Sequence, residues 1–114
     1  MGGDITIDAI QASLRGLAVR QRTIADNMAN VETPGFVANR VDFETALRAA
    51  LDEGQSPQQV EATTTPTADP VSPNSSNVNV DAETVDMIDT GLRYQLMVQG
   101  INSKFQILKT AIRG

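Results

Sequence analysis

Six carboxylates in the first half of the chain, Asp4, Asp8, Asp26, Glu32, Asp42 and Glu44, are the side chains that could do acid–base work or hold a divalent cation. Neither use has the pattern it needs. A calcium loop requires acids at alternating positions around a glycine, and a bundle-type carboxylate centre requires Glu-x-x-His pairs. The chain has no His and no Cys, which removes thiolate and imidazole zinc sites, disulfides, and the Ser-His and Cys-His nucleophile pairs. Ser13 and Ser103 therefore have no base to activate them, and the isolated Gly16, Gly91 and Gly100, like Gly2-Gly3, build no phosphate-cradling loop. The acids read as helix caps and solvated face residues. No catalytic, metal or cofactor-binding residue is expected, and the chain reads as a structural assembly protein, not an enzyme.

The composition agrees. In 114 residues there is no Trp, one Tyr and three Phe, so a core must come from thin seams of Ile, Leu, Val, Met and Ala. Net charge is −5, against nucleic-acid binding, which needs a basic face. The charge is uneven: residues 51–83 carry 6 acids and no base, and residues 84–114 carry 2 acids and 4 bases. Met1-Gly2-Gly3-Asp4 has neither a basic nor an apolar signal-peptide region, and no apolar run approaches the ~20 residues that span a bilayer. The expectation is a cytoplasmic protein or export by a route without a cleaved signal.

What must position these residues is mainly two helices. From Ile7 to Ala29, apolar residues at Ile7, Ile10, Leu14, Leu17, Ile24, Met28 and then Val31 alternate three and four apart, an a/d seam interrupted at Gln21. Thr6 or Asp8 is the expected cap. Thr33-Pro34-Gly35-Phe36 ends the helix, because Pro34 disfavours α at Thr33 and Pro-Gly suits the centre of a type II turn. Val37 to Val41 should run extended. Asp42 then caps a short helix, Phe43 to Leu51, with Phe43, Leu47, Ala50 and Leu51 on one face. From Asp52 to Asn79, Pro57, Pro66, Pro70, Pro73, a Thr triplet and Asn74-Ser75-Ser76-Asn77 predict a flexible loop that buries too little to order itself.

The second long helix should run from Ala82 to Ile112, capped by Asp81. Glu83 and Asp86 suit its positive end, and Lys104, Lys109 and Arg113 its negative end. Its seam is Met87, Gly91, Tyr94, Val98, Ile101, Phe105, Leu108 and Ile112, with Gly91 as the weak point. A second row, Val85, Ile88, Leu92 and Leu96, widens the apolar surface and contributes Leu92 to packing. The predicted fold is all-α: a coaxial, coiled-coil-like pair of terminal helices around a partly disordered or extended central loop, divided as 1–36, 37–80 and 81–114. One seam can be buried between the two helices. The second row would stay exposed in a monomer and calls for neighbours. A self-sufficient small bundle, a secreted helical hairpin and a cytoplasmic coiled-coil scaffold are the other readings of this pattern.

The richest stretch is Ala25-Asp26-Asn27-Met28-Ala29-Asn30-Val31-Glu32-Thr33-Pro34-Gly35-Phe36. As local chemistry it is a helix end whose Asn side chains satisfy backbone groups before a tight turn. It also resembles the signature near the N-terminus of bacterial flagellar rod and hook proteins, roughly A-x-N-[IL]-A-N-x-x-T-P-G-[YF]. The matching residues are Asn27, Ala29, Asn30, Thr33, Pro34, Gly35 and Phe36, with Phe36 in place of the more usual Tyr and Met28 in place of the usual Ile or Leu. The short middle, and the C-terminal residues Asn79-Val80-Asp81, Leu92-Arg93-Tyr94-Gln95 and Lys104-Phe105 to Gly114, are similar to those of a proximal rod protein.

That resemblance, which covers about two-thirds of the chain, implies paired terminal helices lining the inner tube of the rod and a torque-transmitting role in the basal body. It implies type III export without a cleaved signal. The implied partners are other copies and other rod proteins, FliE, the inner-membrane (MS) ring and the flagellar export apparatus, with no nucleic acid or small-molecule substrate. The signature would lie where the first helix passes into a loop that contacts adjacent subunits.

Overall fold

A computed structural model of the chain describes residues 4–71 and 75–113, with backbone only at 113. Pro73, Asn74 and the Arg113 side chain, which carried expectations above, lie outside the described residues, as do Met1, Gly2 and Gly3. The element order is α1 (Ile5–Ala29), β1 (Asn39–Asp42), α2 (Glu44–Asp52), a 3-10 turn (Pro57–Gln59), β2 (Thr63–Pro66) and α3 (Val80–Arg113).

The two long helices pack antiparallel. Asp4 at the start of α1 pairs with Lys104 near the end of α3, Gly100 faces Ile10, and Asn27 near the end of α1 bonds Glu83 near the start of α3. The body measures 64 × 27 × 15 Å. Its radius of gyration is 17.6 Å, well above the ~13 Å of a globule of this length. At 34 residues against 25, α3 outruns α1, and residues 105–113 extend past its described start.

The caps differ from expectation by a few residues. Asp4, not Thr6 or Asp8, caps α1, accepting Thr6 N–H at 2.7 Å, which lets the helix begin at Ile5. Asp8 is buried and accepts instead from Gln58 Nε2. Asn79, not Asp81, caps α3, accepting Ala82 N–H at 3.1 Å. Asp42 does receive the Thr45 N–H at the start of α2.

The fold is mainly helical but not all-α. Part of the middle expected to be a flexible loop folds back as β2, antiparallel to β1 with Asn39 opposite Pro66 and Asp42 opposite Thr63. A two-stranded ribbon is marginal alone. Its free β1 edge is held by α1: Asn27 takes both backbone groups of Asn39, and Arg20 donates to Val41 O at 2.8 Å. The 3-10 turn is fastened to the same helix by Arg15, which donates to the carbonyls of Pro57 and Gln58.

The core is small: Ile7, Ala12, Leu17, Ile24, Ala38, Phe43 and Ala50 are its buried apolar residues. It lies on two sides of α1. One side meets α3. The other meets the ribbon and α2, through the Phe43 ring, which lies against Gly16 so closely that a Cβ there would fall within it.

Candidate assembly site

The site is built where α1 ends. The N–H of Asn30 returns to the Asp26 and Asn27 carbonyls, and its side chain adds a second bond to Asp26 O at 2.8 Å. Asn30 Oδ1 accepts the Thr33 hydroxyl at 3.0 Å. Thr33 O accepts Phe36 N–H across Pro34-Gly35, and Gly35 sits at φ 77°, a left-handed conformation that glycine adopts without strain. The proline and glycine therefore make the turn their types predict.

Asn27 does a different job. It is 1% exposed, and its amide meets the backbone of Asn39 as a neighbouring strand would. Nδ2 donates to Asn39 O and Oδ1 accepts Asn39 N–H, both at 3.0 Å. The second Nδ2 hydrogen reaches the buried Glu83 carboxylate at 3.0 Å. One side chain thus joins α1, β1 and α3, where an unpaired buried polar group would cost free energy.

The segment before α3 closes the junction. Gly35 N–H donates to Ser75 O, and Asn77 N–H donates to Phe36 O. Ser76 Oγ donates to Val31 O at 2.7 Å, Asn77 Oδ1 accepts Ala38 N–H, and Asn77 Nδ2 donates to Thr67 Oγ1 and Asp69 O. Behind it, Arg20 grips Glu44 with two bonds of 2.7 and 2.8 Å and lies 5.1 Å from the Phe43 ring centre. The guanidinium beside Glu44 holds its carboxyl down to about 2, and Glu44 in turn raises the pKa of Arg20. Arg40–Asp86 and Arg93–Asp89 pair at 3.0 and 2.8 Å. Among the described residues no group of acids could hold a metal ion.

The structure splits the expected residues into two sets. Asn27 is interior, Asn30 and Phe36 are half-buried, and Ala29, Thr33, Pro34 and Gly35 are open to solvent. Of the seam residues, Leu17 and Ile24 are buried, and Ile10, Leu14, Met28, Tyr94, Val98 and Ile101 are half-buried. Leu92, Phe105, Leu108 and Ile112 are exposed, as is the rest of the outer row Val85, Ile88 and Leu96. On α3 the buried Glu83 and Thr90 lie on the face that carries Met87, Tyr94 and Ile101. Gly16, Arg20, Asn39, Asn77 and Glu83 have structural roles that the pattern did not announce. The available signal for Gly16 was a glycine inside a helix, which costs about 1 kcal/mol relative to alanine without a packing reason.

Comparison with known proteins bears directly on this junction. Residues 74–114 match the family model described as flagellar basal body rod FlgEFG protein C-terminal. The flagellar basal body rod protein FlgB of Bacillus subtilis is 28% identical, covering 96% of this chain and 94% of its own length. The FlgB of Escherichia coli is also 28% identical, over 84% of each chain. That of Borrelia hermsii is 45% identical over 51 residues, 44% of this chain and 38% of its own. The chain is thus similar to flagellar basal body rod proteins over nearly its whole length. The matched C-terminal region contributes α3 and the Ser75–Asn77 segment that locks the signature turn. No helix among its described residues is long and apolar enough to cross a membrane.

Proposed function

We infer that the chain is a structural subunit of the flagellar basal body rod and works by assembly, not by catalysis. The observation that carries this is the near full-length similarity to FlgB proteins of distant bacteria, joined to a helical hairpin whose apolar surface is left open. Its place is the proximal rod, in the drive shaft that transmits torque. The hairpin supplies inner-tube helices, and the turn Thr33–Phe36 faces a neighbouring subunit. Its partners there are further copies, other rod proteins, and FliE with the MS ring on the proximal side. Export uses the flagellar type III apparatus without a cleaved signal. The related rod protein FlgC is the alternative identity, and the relatives above, all named FlgB, favour the first. A non-flagellar secreted or scaffold hairpin would not need the Asn27–Phe36 junction.

Deletion of the gene tests the role. Cells should be non-motile, lack rod and hook, and keep the inner ring. Normal flagella would overturn the reading.

A further inference from the structure

Two features of the chain are complementary to each other but cannot meet within one molecule. The first is a groove of about 340 Å³ between α2 and α3, floored by Leu17, Phe43, Leu47, Leu51 and Met97. Its charged lining is Glu44, Arg48, Asp52 and Arg93, and at the α2 end Asp52 is followed by the capping Glu53. The second is the arm of α3 beyond Lys104, which carries Phe105, Ile107, Leu108 and Ile112 exposed, the last at 85%. The arm is the end of one continuous helix pointing away from the body, so it cannot turn back into its own groove.

We propose that the arm of one copy seats in the α2–α3 groove of a second copy, head to tail. This rests on the rod reading and names the contact by which copies join. Charge favours this occupant. The arm beyond Lys104 carries Lys109 and Arg113 and no acid, whereas Asp52 and Glu53 end α2 at the groove. Lys109 on the arm therefore meets Asp52 and Glu53 at the mouth of the groove. The outer row Val85 to Leu96 is a poorer occupant, because Asp81 and Asp89 flank it and would face those same acids. Buried apolar anchors within a polar rim are the usual anatomy of a productive interface. Donor and acceptor are different surfaces, so each bound copy offers a fresh arm and a fresh groove, as an open polymer requires and a closed twofold dimer does not.

The chain has no cysteine, which makes single-cysteine pairs unambiguous. Full-length Leu51→Cys and Leu108→Cys proteins are mixed, oxidised and analysed by mass spectrometry, with Leu96→Cys as a competitor for Leu51→Cys. The expected product is the 51–108 heterodisulfide in excess over the 51–96 one. It should be lost when the arm carries Lys109→Glu or the groove carries Asp52→Lys, and return when those two variants are mixed. Dominant 51–96 linkage, 108–108 linkage alone, no linkage at any protein concentration, or failure of the charge swap to restore it would each overturn the proposal. The cysteine variants are also introduced into the deletion strain. Restored motility without the 51–108 link overturns the docking alone. The link in a chain whose deletion leaves flagella normal overturns the rod reading alone.

Discussion

Asn27 shows how much one amide can specify. Its two bonds to Asn39 and one to Glu83 use the donor and acceptor capacity that only a carboxamide of this length offers there. Asn27→Ala leaves those groups buried and unpaired, and should cost about 2–3 kcal/mol of stability in chemical denaturation. Asn27→Asp keeps the acceptor but loses both donated bonds and sets a second acid against Glu83, so it should be the worse variant in the same denaturation. At Gly16 the two effects of a methyl oppose each other. Alanine gains about 1 kcal/mol of helix propensity, but forcing the Phe43 ring aside costs about 1–3 kcal/mol. Gly16→Ala should lower the melting temperature, and adding Phe43→Leu should recover part of the loss. Equal or higher stability of Gly16→Ala alone would mean that the ring shifts freely.

At the scale of elements, Arg20 fastens the ribbon and α2 to α1 beside the Asn27 bonds and the Phe43–Gly16 contact. Glu44 ionises at about 2 in the fold against an ordinary 4.5, so the folded state binds the proton less tightly than the unfolded chain does. Its contribution is therefore fully present above about 4.5 and is lost as pH falls toward 2. Glu44 is 44% exposed, so the pair is worth at most about 1 kcal/mol after solvent screening. Glu44→Gln should flatten that part of the acid limb in a pH series of thermal melts, and an unchanged limb would assign it to other carboxylates. The same elements show what a sequence discloses. Both long helices were legible because their seams repeat locally at three and four residues. The ribbon was not, because Thr63–Pro66 has no apolar alternation of its own and becomes a strand only through Asn39–Asp42, more than twenty residues earlier. The signature turn was legible from Pro34 and Gly35. Its lock was not, because Asn77 sits in a polar run that reads as loop until its partners Ala38 and Thr67 are known.

For the whole molecule, the body is 64 Å long and 15 Å across its thinnest axis, and few side chains are fully covered. Val85, Ile88, Leu92 and Leu96 stand between 57% and 64% exposed, so most of the stabilisation available to α3 waits for neighbours. In the isolated chain, amides of residues 105–113 should exchange within the fastest class, and helical circular dichroism should melt without a sharp transition. Assembly should protect those amides. A dilute monomer with full, cooperatively melting helix would contradict this. The antiparallel pairing also sets how the molecule yields to force. The first turn of α1 lies beside Lys104 while the β ribbon sits at the opposite end, so a pull applied to that turn loads the contacts one after another. The Asp4–Lys104 bridge parts first, then the Ile10–Gly100 contact, and the Asn27 junction last. Such a hairpin peels open like a zip instead of resisting in shear along its whole length. A subunit threaded through a narrow pore from that end would need only modest force until its final, best-bonded joint gave way.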